Sequence, residues 1–486
     1  MGSKNLNNFI GGHWTESSSG ERRVCLNPAD RRREVASAPA STVAEVEQAI
    51  AAARAAFPAW ARTPAPKRAE MLRAAWVAIG GRAEEFARAI TLENGKTLRE
   101  SRVEVQAALK EIDFQLGQGR RLGGLAAASE LPGVSCWMRR EPLGVVTLIT
   151  PWNFPLNVAC RKLVPALVAG NCCLLKPSDL TPVSAGLLFE ALAEAGLPAG
   201  VANLIYGRGS VIGGTLVSHP AVQAVSFTGS TEVGVGIATR LAGRGTKLQL
   251  EMGGKNPLVV LADADLEGAV QAAVIGGFSC AGQWCTATSR VIVEAAVYDR
   301  FLELFEARTR ALKVGDGQDE SVDVGPVCGA QQYQSILDYL EVGRREGARL
   351  CVGGCALRDG GLEHGCFIAP TVFADVRQDM RIAREEIFGP VVAVTKARDF
   401  DESLRLANGV AFGLASSIYT RDLASAQRFI AQSEAGLCHV NLHTAYKEPQ
   451  LEFGGIKDSG RGQPEAGAGA VEFFSRHKAV YLKEHP

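Results

Sequence analysis

The sequence predicts an α/β chain built from two successive domains, each a largely parallel β-sheet flanked by helices, with a small β arm that leaves them. Three observations carry that expectation. At 486 residues the chain exceeds the size at which one hydrophobic core stops growing, so two or more domains are expected. From Gly144 onward short apolar runs alternate with segments of helical period, in two sets, the pattern of parallel strands joined by crossover helices. A Gly- and Ala-rich stretch at 117–133 precedes a polar-flanked run at 134–140 that has no helical neighbour in sequence, which predicts a strand outside both domains.

Taken in order, a polar start leads to Thr42-x-x-Glu45, the signature of a helix-capping box, which opens an Ala-rich amphipathic segment at 43–57. Two more helical stretches continue to about Leu116, so the first hundred residues are expected to be largely helical. Strands follow at 145–149, 172–175, 201–205, 222–227 and 247–250. A second set, at 258–261, 290–293, 391–394, 416–419 and 437–441, alternates with helices such as 266–278 and 298–312. With no internal repeat and no low-complexity linker, the two domains are expected to pack closely. Their boundary is expected near the turn at Glu251, Gly253 and Gly254, with a ligand cleft between them.

Composition narrows the function. Lys and Arg number 52 and Asp and Glu 52, without a strongly charged block, which argues against nucleic acid or an anionic membrane as partner and for a small ligand. No apolar run reaches the roughly 20 residues that span a bilayer, and residues 1–20 do not read as a signal segment, so a cytoplasmic location is expected. Twelve cysteines in this length make no dense disulfide framework, and Cys172-Cys173 before Leu174-Leu175 reads as buried thiols in a strand. With no Cys-x-x-Cys pair and seven scattered histidines, no metal is expected.

One cysteine stands in a setting that suits chemistry, in Gly282-Gln283-Trp284-Cys285-Thr286-Ala287, beside a bulky aromatic in a small-residue turn. Alone, such a cysteine is better read as a buried structural thiol. Three further segments change that balance: Thr150-Pro151-Trp152-Asn153-Phe154-Pro155, Glu251-Met252-Gly253-Gly254-Lys255-Asn256-Pro257 and Glu386-Ile387-Phe388-Gly389-Pro390. Together with Lys176-Pro177-Ser178-Asp179, Phe227-Thr228-Gly229-Ser230 and Phe453-Gly454-Gly455-Ile456-Lys457, they resemble the aldehyde dehydrogenase family in content, order and spacing over nearly the whole chain.

The resemblance implies the aldehyde dehydrogenase fold: a Rossmann-like cofactor domain (1–122 and 141–252), an α/β catalytic domain (253–455) and an oligomerisation arm (123–140 and 456–486). It implies Cys285 as the nucleophile, which converts an aldehyde into a thiohemiacetal alkoxide and then a thioester. Asn153, with the backbone N–H of Cys285, is implied as the donor to that alkoxide, although bracketing prolines also make it an ordinary turn residue. Glu251 matches the family's general base, whose presence points to hydrolysis to the free acid, whereas members that pass the acyl group to coenzyme A generally lack it. Glu465, in Pro464-Glu465-Ala466-Gly467, lies where many members carry a second glutamate, at a different spacing from Ser459-Gly460; it joins the catalytic set with Lys162.

For the cofactor, NAD or NADP, the only near match to a G-x-G-x-x-G turn is Gly207-Arg208-Gly209. The family departs from that fingerprint, and its pyrophosphate turn corresponds to Gly229, Ser230 and Val233, where a helix begins after a strand. The cofactor set is completed by Thr150, Pro151, Trp152, Lys176, Ser178, Asp179, Gly209, Glu386 and Phe388. Many NAD-preferring members have Glu where this chain has Asp179, and the shorter side chain leaves room for a 2′-phosphate near Lys176 and Ser178, so both cofactors stay open.

The substrate set is Phe154, Arg161, Trp284, Thr286, His443 and Thr444, with Asn441 to Tyr446 lining the channel. Arg161 stands where many members acting on uncharged aldehydes carry a bulky apolar residue, and members acting on succinate or 2-oxoglutarate semialdehyde look similar here. A guanidinium there would clamp the far carboxylate of a semialdehyde; the plainer reading is a helix charge paired with a nearby acid. An aromatic or apolar aldehyde, a CoA-acylating reaction and a non-catalytic protein of the same fold are the alternatives. The strand at 134–140 and the segment at 471–481 are implied to build a homodimer or homotetramer.

Overall fold

The computed structural model describes residues 3–484. Four consecutive helices, Val43–Arg62, Ala65–Gly81, Ala83–Asn94 and Leu98–Gln118, precede the main sheet strands. The first begins as its sequence dictates: the Thr42 hydroxyl accepts from the Ala44 N–H, and the Glu45 carboxylate accepts from the Thr42 N–H at 2.7 Å. Such a cap is worth about 1 kcal/mol, because it satisfies N–H groups that the helix leaves unpaired.

The segment before Thr42 is not only a polar lead. It holds the hairpin Arg22–Asn27 with Asp30–Pro39 and the short strands Asn8–Ile10 and His13–Thr15, so strands precede the helices, which begin at Val43 where the capping box predicts. Isolated apolar residues give this region its core: Phe9 is buried, its ring 4.9 Å from that of Trp14. Phe9 and Ile10, buried among polar residues, carry no periodic signal.

The first large sheet has eight strands, in the spatial order Gly460–Arg461, Lys247–Glu251, Val222–Thr228, Val145–Ile149, Cys172–Lys176, Ala202–Leu204, Asn8–Ile10, His13–Thr15. The five from Lys247–Glu251 to Ala202–Leu204 are mutually parallel, and the outer strands pair antiparallel. Chain order reverses between Val145–Ile149 and Val222–Thr228, which lie side by side although the chain runs outward in opposite directions from them. Ligands of open α/β sheets bind at the carboxyl ends of strands at such a switch point, and here those ends carry Thr150 to Asn153 and Gly229-Ser230.

The chain crosses to the second sheet through the turn after Glu251. Its seven strands follow the order Arg349–Val352, Thr371–Ala374, Val391–Ala397, Thr288–Glu294, Asn256–Val260, Ala415–Tyr419, Leu437–Val440, parallel except for the first pair. Each sheet has its own apolar core, one drawn mainly from residues between Leu6 and Met252, the other from Leu258 onward. A separate three-stranded sheet joins Ala126–Ala127, Val134–Pro142 and Ser475–Lys483, with Ser475 opposite Pro142 and Lys483 opposite Val134. It leaves Tyr481 and Leu482 exposed. Of the residues that precede its last strand, Gly460–Arg461 joins the first sheet, Glu465–Ala466 pairs with Glu452–Phe453, and helix Ala470–Phe473 packs on helix Asn157–Ala169. Among the described residues no helix is long and apolar enough to cross a membrane, no group of His, Cys, Asp and Glu could hold a metal ion, and every cysteine is free.

Candidate active site

The Cys285 turn sits between the two sheets and is fastened from both sides. Helix Leu266–Phe278 ends at Ser279, and Cys280 and Ala281 then take left-handed backbone conformations that turn the chain sharply toward Cys285. From the first sheet's side, the Asn153 side-chain amide donates to the Gln283 carbonyl at 3.0 Å. From the second sheet's side, the Asn256 amide donates to the Cys285 carbonyl at 2.8 Å and to that of Ala287 at 2.9 Å. Gly254 leaves no room for a side chain, since a Cβ there would stand 2.6 Å from the Cys285 carbonyl oxygen.

The Cys285 side chain is partly exposed and packs against the cluster of Leu414, Phe453 and Ala466. Burial pushes its thiol up to about 12, with Arg161 pulling the other way and Glu251, Glu386 and Glu465 adding to the rise. Glu251 ends strand Lys247–Glu251, buried, with Oε2 bonded to nothing in the protein. Burial, and then the Glu465 carboxylate, raise it well above the ordinary carboxylate range, against Lys162, Arg161 and the Gly455 N–H.

Glu465 is buried, accepts from the Thr228 hydroxyl at 2.9 Å and forms an ion pair with Lys162. Lys162 also donates to the Ser226 hydroxyl at 2.8 Å, and burial lowers its pKa. Glu251, Glu465 and Lys162 thus form one enclosed acid–ammonium cluster, assembled from three distant parts of the chain. One Glu465 oxygen has no bonding partner.

Arg161, on helix Asn157–Ala169, is buried. It donates to the Asn157 side-chain oxygen at 2.9 Å and lies 3.8 Å from both Glu111 and Glu465. Its Nε is buried without a bonding partner, and its guanidinium lies 4.6 Å from the centroid of the Phe453 ring. Phe154 and Trp284 meet edge to face at 5.5 Å, and Lys96 covers the Phe154 ring at 3.5 Å while pairing with Glu104. His443 is half-buried, near Tyr446, with Nδ1 unpartnered. Thr444 is fully buried: its hydroxyl donates to the Thr286 carbonyl at 2.6 Å and lies 2.8 Å from that of Thr288, so it braces the Cys285 turn. Thr286, also buried, contributes that carbonyl.

At the switch point, helix Thr231–Leu241 begins after Ser230, whose hydroxyl accepts from the Val233 N–H. A Cβ on Gly229 would meet the Phe227 ring at 2.5 Å and one on Gly234 the Met252 sulfur at 2.4 Å, so glycine lets the helix start lie flat on the sheet. Val233 is exposed at this helix start, and so is Gly209 at the start of the neighbouring helix Gly209–Ser218. The Thr150 hydroxyl is buried and unpartnered. Lys176 is buried, donates to the Pro177 carbonyl and lies 3.9 Å from Asp179. Asp179 is also held by Arg23 of the N-terminal hairpin at 3.1 Å, and Ser178 caps the same turn by accepting from the Leu180 N–H.

Glu386 accepts from the Gly254 N–H at 2.8 Å, burial raising its carboxyl to about 7. Phe388, in a left-handed conformation unusual for an aromatic residue, meets Trp152 edge to face at 5.3 Å. Pro151 and Trp152 are partly exposed beside it. This donor set fits a dinucleotide: a helix start stripped of side-chain bulk for a pyrophosphate, Lys176 and Asp179 at one end, and Glu386 with the Trp152–Phe388 pair at the other.

Several contributors escaped the sequence reading. Lys447 lies 3.1 Å from Glu111 and 3.4 Å from the Asn157 side-chain oxygen, so it shares both partners of Arg161. It directly follows Tyr446, where the expected channel stretch stopped. Arg23, Glu111 and Asn157 had no local signal, because each gains its role only through a tertiary neighbour.

The aldehyde dehydrogenase family pattern matches residues 14–480. The chain is 44% identical over 467 residues to a 2,5-dioxopentanoate dehydrogenase of Saccharolobus solfataricus, covering 95% of this chain and 96% of that one. It is 42% identical over 476 residues to an alpha-ketoglutaric semialdehyde dehydrogenase of Bacillus subtilis, covering 98% of each. Among solved structures, betaine aldehyde dehydrogenase of Staphylococcus aureus in complex with NAD+ superposes with a TM-score of 0.96 at 36% identity, covering 99% of this chain and 95% of that one. On fold, pattern and extent of match alike, the chain belongs to the aldehyde dehydrogenase family.

Proposed function

We propose that this aldehyde dehydrogenase oxidises a carboxylate-bearing semialdehyde, of the 2-oxoglutarate or succinate semialdehyde kind, to the free acid with NAD(P)+. The observation that carries the substrate is Arg161: a buried guanidinium with an unbonded Nε, near the Phe453 ring, which belongs to the cluster that Cys285 packs against. A guanidinium so placed binds a carboxylate far better than it tolerates an alkyl tail. The names of the relatives support the same substrate class.

The Cys285 thiol gives up its proton to solvent, and the thiolate attacks the aldehyde carbon, opening the carbonyl π bond to give an alkoxide. Asn153 has two amide hydrogens, and since one is spent on Gln283 the other serves the alkoxide together with the Cys285 N–H. Bound NAD(P)+ supplies the acceptor for the hydrogen and electron pair that leave as the alkoxide collapses. The acyl group then rests on Cys285 as a thioester, which a water attacks while Glu251 takes its proton. Glu465 and Lys162 hold and pass that proton, the free oxygens of Glu251 and Glu465 being the open positions on the route. Thr150, Pro151, Trp152, Lys176, Ser178, Asp179, Gly209, Gly229, Ser230, Val233, Glu386 and Phe388 hold the cofactor, and Phe154, Trp284 and His443 wall the aldehyde channel.

The division into a cofactor unit and a catalytic unit meeting after Glu251 belongs to this reading, as does assembly into a homodimer or homotetramer through the exposed arm. Sedimentation tests the assembly: a monomer at micromolar concentration would overturn it. Rates with succinate semialdehyde, 2-oxoglutarate semialdehyde, hexanal and benzaldehyde test the substrate class. Higher kcat/KM for the two acid-tailed aldehydes is expected, and a lead for hexanal or benzaldehyde would refute it. A product that forms only when coenzyme A is present would refute the hydrolytic half-reaction.

A further inference from the structure

The Arg161 site has a second cation that the chemistry at Cys285 does not use. Lys447 lies on the loop between strands Leu437–Val440 and Glu452–Phe453, and its side chain is about a quarter exposed, whereas Arg161 is almost wholly enclosed. Both cations converge on the Glu111 Oε2 and on the Asn157 side-chain oxygen. Both also approach the Phe453 ring, at 4.6 Å and 6.0 Å from its centroid.

Three cations, Arg161, Lys162 and Lys447, share this enclosure with the carboxyl groups of Glu111, Glu465 and Glu251. Lys96 and Glu104 nearby pair with each other at 2.5 Å. Arg161 and Lys447 have one carboxylate oxygen, Glu111 Oε2, between them. Two cations on one acceptor in a largely dehydrated site are stabilised when an anion joins them. The unbonded Arg161 Nε is a second sign that a ligand group is missing from this set.

We propose that Lys447 is a specificity-determining residue, the outer half of a two-cation receptor that binds the far carboxylate of the substrate together with Arg161. The proposal rests on the semialdehyde reading. Arg161 fixes the depth of the carboxylate from within, and Lys447 exchanges part of its contact with Glu111 for the substrate. As a flexible point charge near the rim, Lys447 can make that exchange, which a guanidinium fixed in the wall cannot.

Lys447 also has a distinctive titration. Burial first, and then the charge of Arg161, lower its ammonium to about 8, while Glu111 and the Cys285 sulfur oppose that shift. Its charge is therefore complete below that value and lost as pH rises through it. The KM for an acid-tailed aldehyde should climb above pH 8 in the wild-type enzyme, and Lys447→Arg should flatten the climb because guanidinium stays charged.

The experiment measures kcat/KM for succinate semialdehyde and for hexanal, from pH 6.5 to 9.5, in the wild type, Lys447→Met, Lys447→Arg and Arg161→Met. The ratio of the two substrates cancels effects on the chemical step. Lys447→Met is expected to lower the ratio about tenfold through KM, and Lys447→Arg to abolish the alkaline rise in KM. A ratio unchanged in Lys447→Met but lowered in Arg161→Met would overturn the proposal and leave the semialdehyde reading standing. A wild-type ratio near unity would overturn both. Should Lys447→Met not fold, an alkaline rise in KM that persists in Lys447→Arg would by itself overturn the proposal.

Discussion

Replacing Glu251 by glutamine separates the two halves of the reaction. The carboxyl is buried and held well above the ordinary range by burial and by Glu465. Glutamine matches the protonated carboxyl in size and still offers a carbonyl acceptor and a donor. Little loss of folding stability is therefore expected, since no buried charge is created and no cavity is opened. What is lost is the ability to take a proton from water, and a positioned general base is worth about 10²–10⁴ in rate. The oxidative half-reaction needs no such proton transfer at Glu251. Stopped-flow mixing of Glu251→Gln with aldehyde and NAD(P)+ should give a burst of about one equivalent of NAD(P)H per site, followed by turnover slowed about 10²–10⁴-fold. Normal steady-state turnover, or loss of the burst together with turnover, would refute the assignment of Glu251 to deacylation.

Other substitutions address the remaining parts. Cys285→Ala should abolish turnover while NAD(P)+ still binds, as titration of the protein's fluorescence would read; residual oxidation above background would exclude Cys285 as nucleophile. Asn153→Ala should lower kcat by about 10²–10³ with a smaller change in KM, and an effect confined to KM would count against a role in the transition state. The pH dependence has a definite sign: the Cys285 thiol, pushed up to about 12, and the raised Glu251 carboxyl must both lose protons to act. kcat should accordingly rise with pH from 6 to 9, and a fall over that range would contradict the assigned protonation states. Arg161→Met should lower kcat/KM for succinate semialdehyde relative to hexanal by about 10- to 150-fold, the worth of a charge-assisted hydrogen bond; an unchanged ratio would make Arg161 structural.

The architecture was legible where burial is periodic. Strand Val222–Thr228 followed by a Ser230 cap, and the Thr42–Glu45 box, are written in adjacent residues, and the structure shows them there. Short strands near the sheet margins were not: Asn8–Ile10, Arg349–Val352 and Thr371–Ala374 have too few residues to show a period, and they pair with partners set by the tertiary fold. At the site, motif content pointed to Cys285, Asn153 and Glu251, but which groups they meet depends on contacts across more than a hundred residues, such as Asn153 with Gln283. Thr444 shows the limit in one direction, a polar residue in an expected channel segment that is used to brace a turn. Lys447 shows it in the other, because a lysine on a loop reads as solvated until Glu111 is brought beneath it from helix Leu98–Gln118.

The most direct test of the central claim is peptide mass spectrometry after acid quenching during turnover, with NAD(P)+ and an equimolar mixture of 2-oxoglutarate semialdehyde and hexanal. The expected result is an acyl adduct on the peptide that contains Cys285, carrying the carboxylate-bearing acyl group in preference to hexanoyl. A hexanoyl adduct in excess would contradict the substrate assignment, and an adduct on any cysteine other than Cys285 would contradict the mechanism.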